Sequence, residues 1–408
     1  MRVTAMTKKR LWLAVKISIC AAAVWYLSGQ VTVYDYIRLR AEPGVKYRLL
    51  AEIDGHYEIR PAPDATIRRV SPDALADEMT LKPGQRPLEL GLLSIGRSVK
   101  INWALGALSA FSPVPFILAW RIRYLLAMQD IAVGYRDALW LTFAGNFFNF
   151  SLPGTTGGDV YKAYHFAKRT PKRVEAVTVI ILDRVVGLVS FLLLSALALL
   201  LCRNPSLAGD FGDYVLYLVA AFFLVAGLFF SDRVRRAVRF EAMLGRLPFG
   251  ENIRRVDETA LRCIRRPLAS LNVLGATVVS HAFNVTNVYC LARGFGIDPL
   301  AGEAQTDFYL VVTLATVVGY LFAAIPISIQ GFGLMEAVYW QVLVVGGWAT
   351  ASQMLALTLA TRLVQIVWAL PGIAVPFLGF ETPPAEAADH AMDLPSARDE
   401  APREASTI

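Results

Sequence analysis

Apolar residues in this chain come in long unbroken runs rather than in short alternating stretches. Runs of bilayer-spanning length, about 20 mostly apolar residues, occupy roughly 11–28, 101–119, 175–201, 214–230, 268–291 and 353–378. Two shorter runs, 308–325 and 333–348, are separated by a Pro/Gly-rich stretch, and a third, 137–152, ends in one. Trp12, Trp25, Trp103 and Trp120 stand at the ends of the first two runs, where amphipathic rings favour the headgroup layer. The pattern predicts an all-α polytopic membrane protein with six to eight transmembrane helices. Residues 8–23 also fit a cleaved leader, with Lys8-Lys9-Arg10 before an apolar core and Ala21-Ala22-Ala23 after it, although apolar residues continue through Leu27.

Alternation appears in one place. Val45, Tyr47, Leu49, Ala51 and Ile53 alternate with other residues, Asp54-Gly55 gives a hairpin turn signal, and Tyr57 and Ile59 resume the pattern. A small β-rich insertion over 30–99 is therefore expected. The stretch 380–408 holds seven acids and two arginines, is rich in Ala and Pro, and lacks apolar periodicity, so disorder is expected there. Four parts result: a first helix over 1–29, the insertion over 30–99, a helical bundle over 100–379 and an acidic tail over 380–408.

Composition sharpens the class. Of 408 residues 55% are hydrophobic and 18% charged, against about 25% charged in an ordinary soluble domain, which excludes a soluble enzyme and a nucleic-acid-binding tail protein. The four cysteines, Cys20, Cys202, Cys263 and Cys290, form no C-x-x-C pair and read as buried small hydrophobes. The net charge is +7; setting aside a neutral insertion and a tail of −5 leaves +12 on the bundle. That excess favours anionic lipid on the cytoplasmic side.

The basic residues also orient the chain. Lys8, Lys9 and Arg10 place the N-terminus inside, so the second span returns to the cytoplasm near Arg121 and Arg123 and the insertion lies outside. Were 137–152 a full crossing, the ten arginines of 231–267 would lie outside as well. The charge bias therefore makes 137–161 a re-entrant hairpin entering and leaving on the cytoplasmic side. Non-helical backbone at that depth must be buried in protein or line a wet cavity, so the hairpin is a site candidate. The pair 308–325 and 333–348 crosses twice or dips twice; either keeps both termini cytoplasmic.

The segment Gly145-Asn146-Phe147-Phe148-Asn149-Phe150-Ser151-Leu152-Pro153-Gly154-Thr155-Thr156-Gly157-Gly158-Asp159 joins an apolar half-helix to a new helix starting near Asp159. Free amides at such a start make an anion site; the bland alternative is an ordinary loop with Asp159 as a cap. Gly319-Tyr320 followed by Pro326-Ile327-Ser328-Ile329-Gln330-Gly331-Phe332-Gly333-Leu334-Met335-Glu336 echoes it in the other half of the chain. Gly/Pro-interrupted segments in both halves point to a transporter site, with chance likeness of such loops as the alternative. Asp183 and Arg184 sit adjacent within a span, 100° apart on a helix, so each needs its own partner, and a structural ion pair explains them equally. Lys162, Arg184 and Arg362 suit a phosphodiester, while Asp159 and Glu336 suit a cationic headgroup or proton transfer. His281, Asn284 and Asn287 share a helix face, which helix–helix hydrogen bonding explains at least as well. Glu52 and Asp54 are a conceivable metal-diphosphate pair, though turn geometry accounts for Asp54. No soluble-enzyme motif and no cofactor signature appear.

The stretch G-N-F-F-N-F-S-L-P-G-T-T-G-G-D-V-Y-K, the later L-D-R-V-V-G-L, P-I-S-I-Q-G-F-G-L-M-E-A and R-L-V-Q-I-V-W-A-L-P-G resemble the lysylphosphatidylglycerol synthase transmembrane region, a flippase-like family of integral membrane proteins, over about 100–378. The resemblance implies a bundle with re-entrant hairpins in a bacterial inner membrane that binds or translocates phospholipid or another anionic lipid through a central cavity. It puts Asn149, Pro153, Gly157, Gly158, Asp159, Arg184, Gly331, Gly333, Glu336 and Arg362 on motif positions. Full-length aminoacyl-lipid synthases add a soluble catalytic domain that this sequence lacks, so no lysyl-lipid synthesis is expected of it. The expectation is a non-enzymatic flippase, alone, as a homo-oligomer or with a lipid-synthesis enzyme as partner. The alternatives are a polyprenyl-phosphate-dependent glycosyltransferase and an accessory subunit modulating a lipid synthase.

Overall fold

The computed structural model describes residues 31–60, 66–77, 81, 85–151, 157–201, 210–237, 250–298, 305–324, 328 and 331–378, with single helical positions at 18, 21, 22, 25 and 29. The expected tail over 380–408 and nearly all of the first apolar run lie outside them. Five strands come first: β1 (Tyr36–Leu39), β2 (Glu42–Ile53), β3 (His56–Arg60), β4 (Arg68–Val70) and β5 (Leu88–Glu89). The helices follow: α1 (Leu92–Arg97), α2 (Ile101–Phe111), α3 (Pro113–Ala127), α4 (Tyr135–Ser151), α5 (Gly157–Lys168), α6 (Arg173–Leu201), α7 (Asp210–Phe230), α8 (Asp232–Ala237), α9 (Gly250–Ile264), α10 (Pro267–Gly294), α11 (Gln305–Ala323), α12 (Leu334–Tyr339) and α13 (Ala351–Ala369). A π-helical stretch, Trp340–Val345, prolongs α12, and a 3-10 helix, Leu370–Leu378, prolongs α13. Among the described residues four helices are long and apolar enough to cross a membrane: Ile101–Ala127, Arg173–Leu201, Pro267–Gly294 and Ala351–Val375. The chain divides into two compact units, the first of Met1–Phe111, Leu194–Asp213 and Phe283–Gln365, the second of Ser112–Leu193, Tyr214–Ala282 and Ile366–Ile408.

In the first unit the insertion is β-rich, as its alternation predicts. Its strands pair antiparallel in the order β4-β3-β2-β1-β5. Asp54 and Gly55 both take positive φ, 51° and 71°, between the paired residues Ile53 and His56, the two-residue turn whose twist matches that of the strands. Ile37, Leu39, Ile59 and Val70 form a small core onto which Tyr47 and Leu49 pack. Ile53 does not join them and is exposed, because the register shifts between Leu49 and Ala51 and sends the rest of β2 to the other face. Glu89 holds the sheet's buried cation, Arg38, at 3.3 Å and Lys46 at 2.8 Å. Hydrogen bonds tie this module to the start of α13 and to the turn before it, among them Thr32 N–H to Ser352 Oγ at 3.2 Å and Arg86 to the Trp348 carbonyl at 3.2 Å.

The second unit has its own core, with Leu125 and Leu126 of α3, Leu141 and Ala144 of α4, Tyr161 and Phe166 of α5, and Val179 of α6. The run expected to end at 119 continues helically to Ala127, because Arg121, read from sequence as a charge at the membrane face, is buried and paired. Its guanidinium lies 2.6 Å from Asp183 and donates to Thr277 at 3.3 Å. The arginine-rich segment 231–267 is anchored to the same unit. Arg235 of α8 pairs with Asp257 of α9, Gln129 donates to the Thr259 carbonyl at 3.3 Å, and Arg266 donates to the Met128 carbonyl at 3.4 Å.

Candidate functional site

Helices α4 and α5 have 17 and 12 residues, each short of the ~20 needed to span a bilayer. They fold back on one another where Gly145 meets Gly158. A Cβ on Gly158 would lie 1.8 Å from the Gly145 carbonyl oxygen, so the backbones touch and only glycine fits. The open end of this hairpin is fastened by Arg169 to Asp137 at 3.1 Å and by Lys172 to the Gln129 carbonyl at 2.9 Å, so both of its ends lie beside the end of α3. The expected site residue Pro153, in the connection 152–156, lies outside the described residues.

Gly157 opens α5, and the Gly158 amide is not free for an anion: it donates to Asn149 Oδ1 at 2.8 Å. The chemistry moves one residue on. The Asp159 carboxylate accepts from Lys162 at 3.1 Å and from Arg184, which reaches over from α6. The Lys162 stem lies along Gly145, with Cε 3.0 Å from where a Cβ would be; a side chain there would displace it. Asp159, Lys162 and Arg184 together carry one formal positive charge; Lys162 is buried and Asp159 partly so. The expectation that neighbours Asp183 and Arg184 find separate partners holds, since Asp183 pairs with Arg121 and Arg184 with Asp159. His281 stacks on Phe191 at 3.7 Å and meets the Gly187 carbonyl at 3.3 Å, which is helix–helix bonding.

The first unit holds a second hairpin, α11 and α12. Gly331 and Gly333 take φ of +71° and +87°, conformations that L side chains adopt at a cost of ~1–2 kcal/mol, and a Cβ on Gly331 would lie 2.3 Å from that of Ala323. This turn delivers Glu336, almost fully buried, into a fixed pose. One carboxylate oxygen accepts the Gly333 amide at 2.8 Å and the other accepts Arg362 of α13 at 3.0 Å. The Arg362 guanidinium lies 3.9 Å over the Phe332 ring. One turn along α13, Gln365 bonds the Tyr320 hydroxyl of α11, and Tyr339 donates to Thr316 at 3.2 Å.

All the expected site residues that are described thus fall into two clusters, Asn149, Gly157, Gly158, Asp159, Lys162 and Arg184 in one unit and Gly331, Gly333, Glu336 and Arg362 in the other. The clusters share a plan. Each places a carboxylate in the first turn of a hairpin's second helix and pairs it with an arginine on the next long helix, 25 residues later in one case and 26 in the other. Sequence reasoning missed Arg121, Phe332 and the role of Tyr320; for Phe332 the signal was an aromatic between two glycines. Glu52 and Asp54 sit at a hairpin turn, and among the described residues no group of three or more His, Cys, Asp or Glu side chains is placed to hold a metal.

A family model described as the lysylphosphatidylglycerol synthase TM region matches residues 91–372, which takes in both hairpins, three of the long helices and all but the last three residues of the fourth. No curated protein matches the chain significantly.

Proposed function

Because the chain belongs to the family of the lysylphosphatidylglycerol synthase TM region, and so is a membrane protein related to lipid metabolism, we propose that it is a non-enzymatic flippase of a bacterial inner membrane that carries phospholipid or another anionic lipid. The observation that carries this reading is the recurrence of one carboxylate–arginine arrangement in two helical hairpins. Guanidinium groups suit the forked geometry of a phosphodiester. The surplus positive charge of Asp159, Lys162 and Arg184 favours an anion at that hairpin, and burial strengthens the attraction.

Connectivity supports a transporter. A long helix, a hairpin and a long helix occur in that order over 101–201 and again over 267–375. The first hairpin opens beside the arginine-rich segment, through Lys172, Gln129 and Thr259. The second opens beside the β-rich insertion, through Trp348 and Arg86. Gly/Pro-interrupted helical hairpins at corresponding places in the two halves of a chain are a plan of secondary transporters. Each hairpin offers its own charged cluster to a headgroup, and in this reading both termini are cytoplasmic.

The test is transport of a chain-labelled phospholipid in reconstituted vesicles, read by chemical quenching of the outer leaflet. Arg184→Ala leaves Asp159 paired with Lys162, and Arg362→Lys keeps the charge beside Glu336 while losing the fork, so both variants are expected to fold. Losing one or two charge-assisted hydrogen bonds of ~1.5–3 kcal/mol each slows transport about tenfold or more. Wild-type rates in both variants would end the proposal.

A further inference from the structure

One set of polar groups in the first unit is left over by the ion pairs. Gln353, at the start of α13, donates to the carbonyls of Phe295 and Gly296 just after α10, at 3.3 and 3.4 Å. Deeper in, the Tyr320 hydroxyl is bonded both by Asn284 of α10 and by Gln365 of α13. The two helices therefore run antiparallel. Asn287 lies one turn from Asn284 toward the Phe295 end, and Arg362 one turn from Gln365 toward the Gln353 end, a step of about 4.5 Å on each helix. Asn287 and the Arg362–Glu336 pair thus share a level. Asn287 is fully buried, and neither its amide oxygen nor its amide nitrogen has a hydrogen-bond partner; the Asn284 carbonyl oxygen lacks one as well. An amide held without partners in a membrane-spanning helix is strongly unfavourable, and leucine would fill nearly the same shape without penalty.

We infer that Asn287, supported by Asn284, is a specificity-determining residue that binds the uncharged, hydroxyl-bearing part of a lipid headgroup whose phosphate is held by Arg362. The inference rests on the phospholipid-transport reading above and deepens it. The chemistry follows from what the amides need. Asn287 offers a donor and an acceptor side by side and Asn284 a further acceptor, so the matching group must both donate and accept. A hydroxyl does both. An ammonium only donates, a trimethylammonium does neither, and a phosphodiester only accepts. A site that hydrogen-bonds a substrate hydroxyl discriminates against analogues lacking it, because its own buried polar groups are then left unpaired. Polyol headgroups are accordingly preferred over amine headgroups on the same phosphodiester.

The experiment uses the full chain in phosphatidylcholine vesicles carrying a trace of chain-labelled phosphatidylglycerol or chain-labelled phosphatidylethanolamine, and reads the ratio of their initial transport rates. Wild type is expected to favour phosphatidylglycerol. Asn287→Leu is expected to lower that ratio about tenfold, the worth of one to two hydrogen bonds, by slowing phosphatidylglycerol alone. Asn287→Ser, which keeps a donor and acceptor, is expected to recover part of the preference. Thermal unfolding of Asn287→Leu in lipid-free detergent is expected to match or exceed wild type, since no partner is lost there. A ratio unchanged while both rates fall means that Asn287 holds structural water, and overturns the inference while leaving transport standing. Wild-type protein that moves neither lipid ends the transport reading and this one with it.

Discussion

At the residue scale, the two ion pairs on α6 serve different ends and can be separated. Arg121–Asp183 is a closed neutral pair with Thr277 as third member, whereas Asp159 shares itself between Lys162 and Arg184. Removing one partner of a buried pair costs ~3–5 kcal/mol, while replacing both by apolar residues of similar volume is often neutral. Asp183→Leu alone is therefore expected to lower the unfolding temperature in detergent sharply, and Arg121→Leu/Asp183→Leu to restore most of it with transport intact. Asp159→Leu/Lys162→Met/Arg184→Leu, which leaves no member of the cluster unpaired, is expected to fold and to lose transport; transport surviving in that triple variant would assign the cluster to structure. Gly158→Ala is a purely steric test. Its methyl would sit 1.8 Å from the Gly145 carbonyl oxygen, and overpacking of that kind costs ~1–3 kcal/mol or more, so the yield of folded protein should fall by size-exclusion profile. These residues differ in how far sequence reveals them. That Asp183 and Arg184 need separate partners follows from 100° per residue alone. That Arg121 is one of those partners does not, because an Arg-x-Arg at the end of an apolar run looks like a membrane boundary, and the partner lies 62 residues away.

At the element scale, the hairpins were legible through punctuation. The start of α5 at Gly157, the end of α11 at Ala323 and the turn at Asp54-Gly55 all follow Gly or Pro signals. Length carried the rest, since runs too short to span must fold back or be buried. What sequence could not supply was the fastening of each open end, because Asp137–Arg169 and Arg86–Trp348 join residues 32 and 262 positions apart. Those fastenings make a sidedness prediction. In a background with the other cysteines replaced, Lys168→Cys beside the first hairpin should react with a membrane-impermeant thiol reagent from the same side as Arg265→Cys. Gly347→Cys after the second hairpin should react from the side of Lys46→Cys. Cys263 is partly buried, and burial pushes its pKa above the ordinary value and leaves little thiolate. Labelling of the two members of either pair from opposite sides would refute the fastening of that hairpin.

At the scale of the whole molecule, the presence of two charged clusters constrains the energetics of transport. If a headgroup crossing in either direction visits both, the clusters act in series. Slowing either step then slows the whole passage. A carrier with no energy source cannot shift the distribution of a lipid between two identical leaflets, so any variant must change inward and outward exchange by the same factor. In vesicles of symmetric composition, with no ion gradient and with protein orientation fixed by selective capture, Arg184→Ala and Arg362→Lys are each expected to slow the two directions equally. Labelled lipid followed from either leaflet to its plateau measures both the rates and the final distribution. A plateau away from equality, or a variant that changes one direction alone, would show that crossing is coupled to a second species. Glu336 is then the group to examine, because it is the carboxylate most completely withdrawn from solvent in either cluster, 1% exposed against 14% for Asp159, and it accepts directly from Arg362.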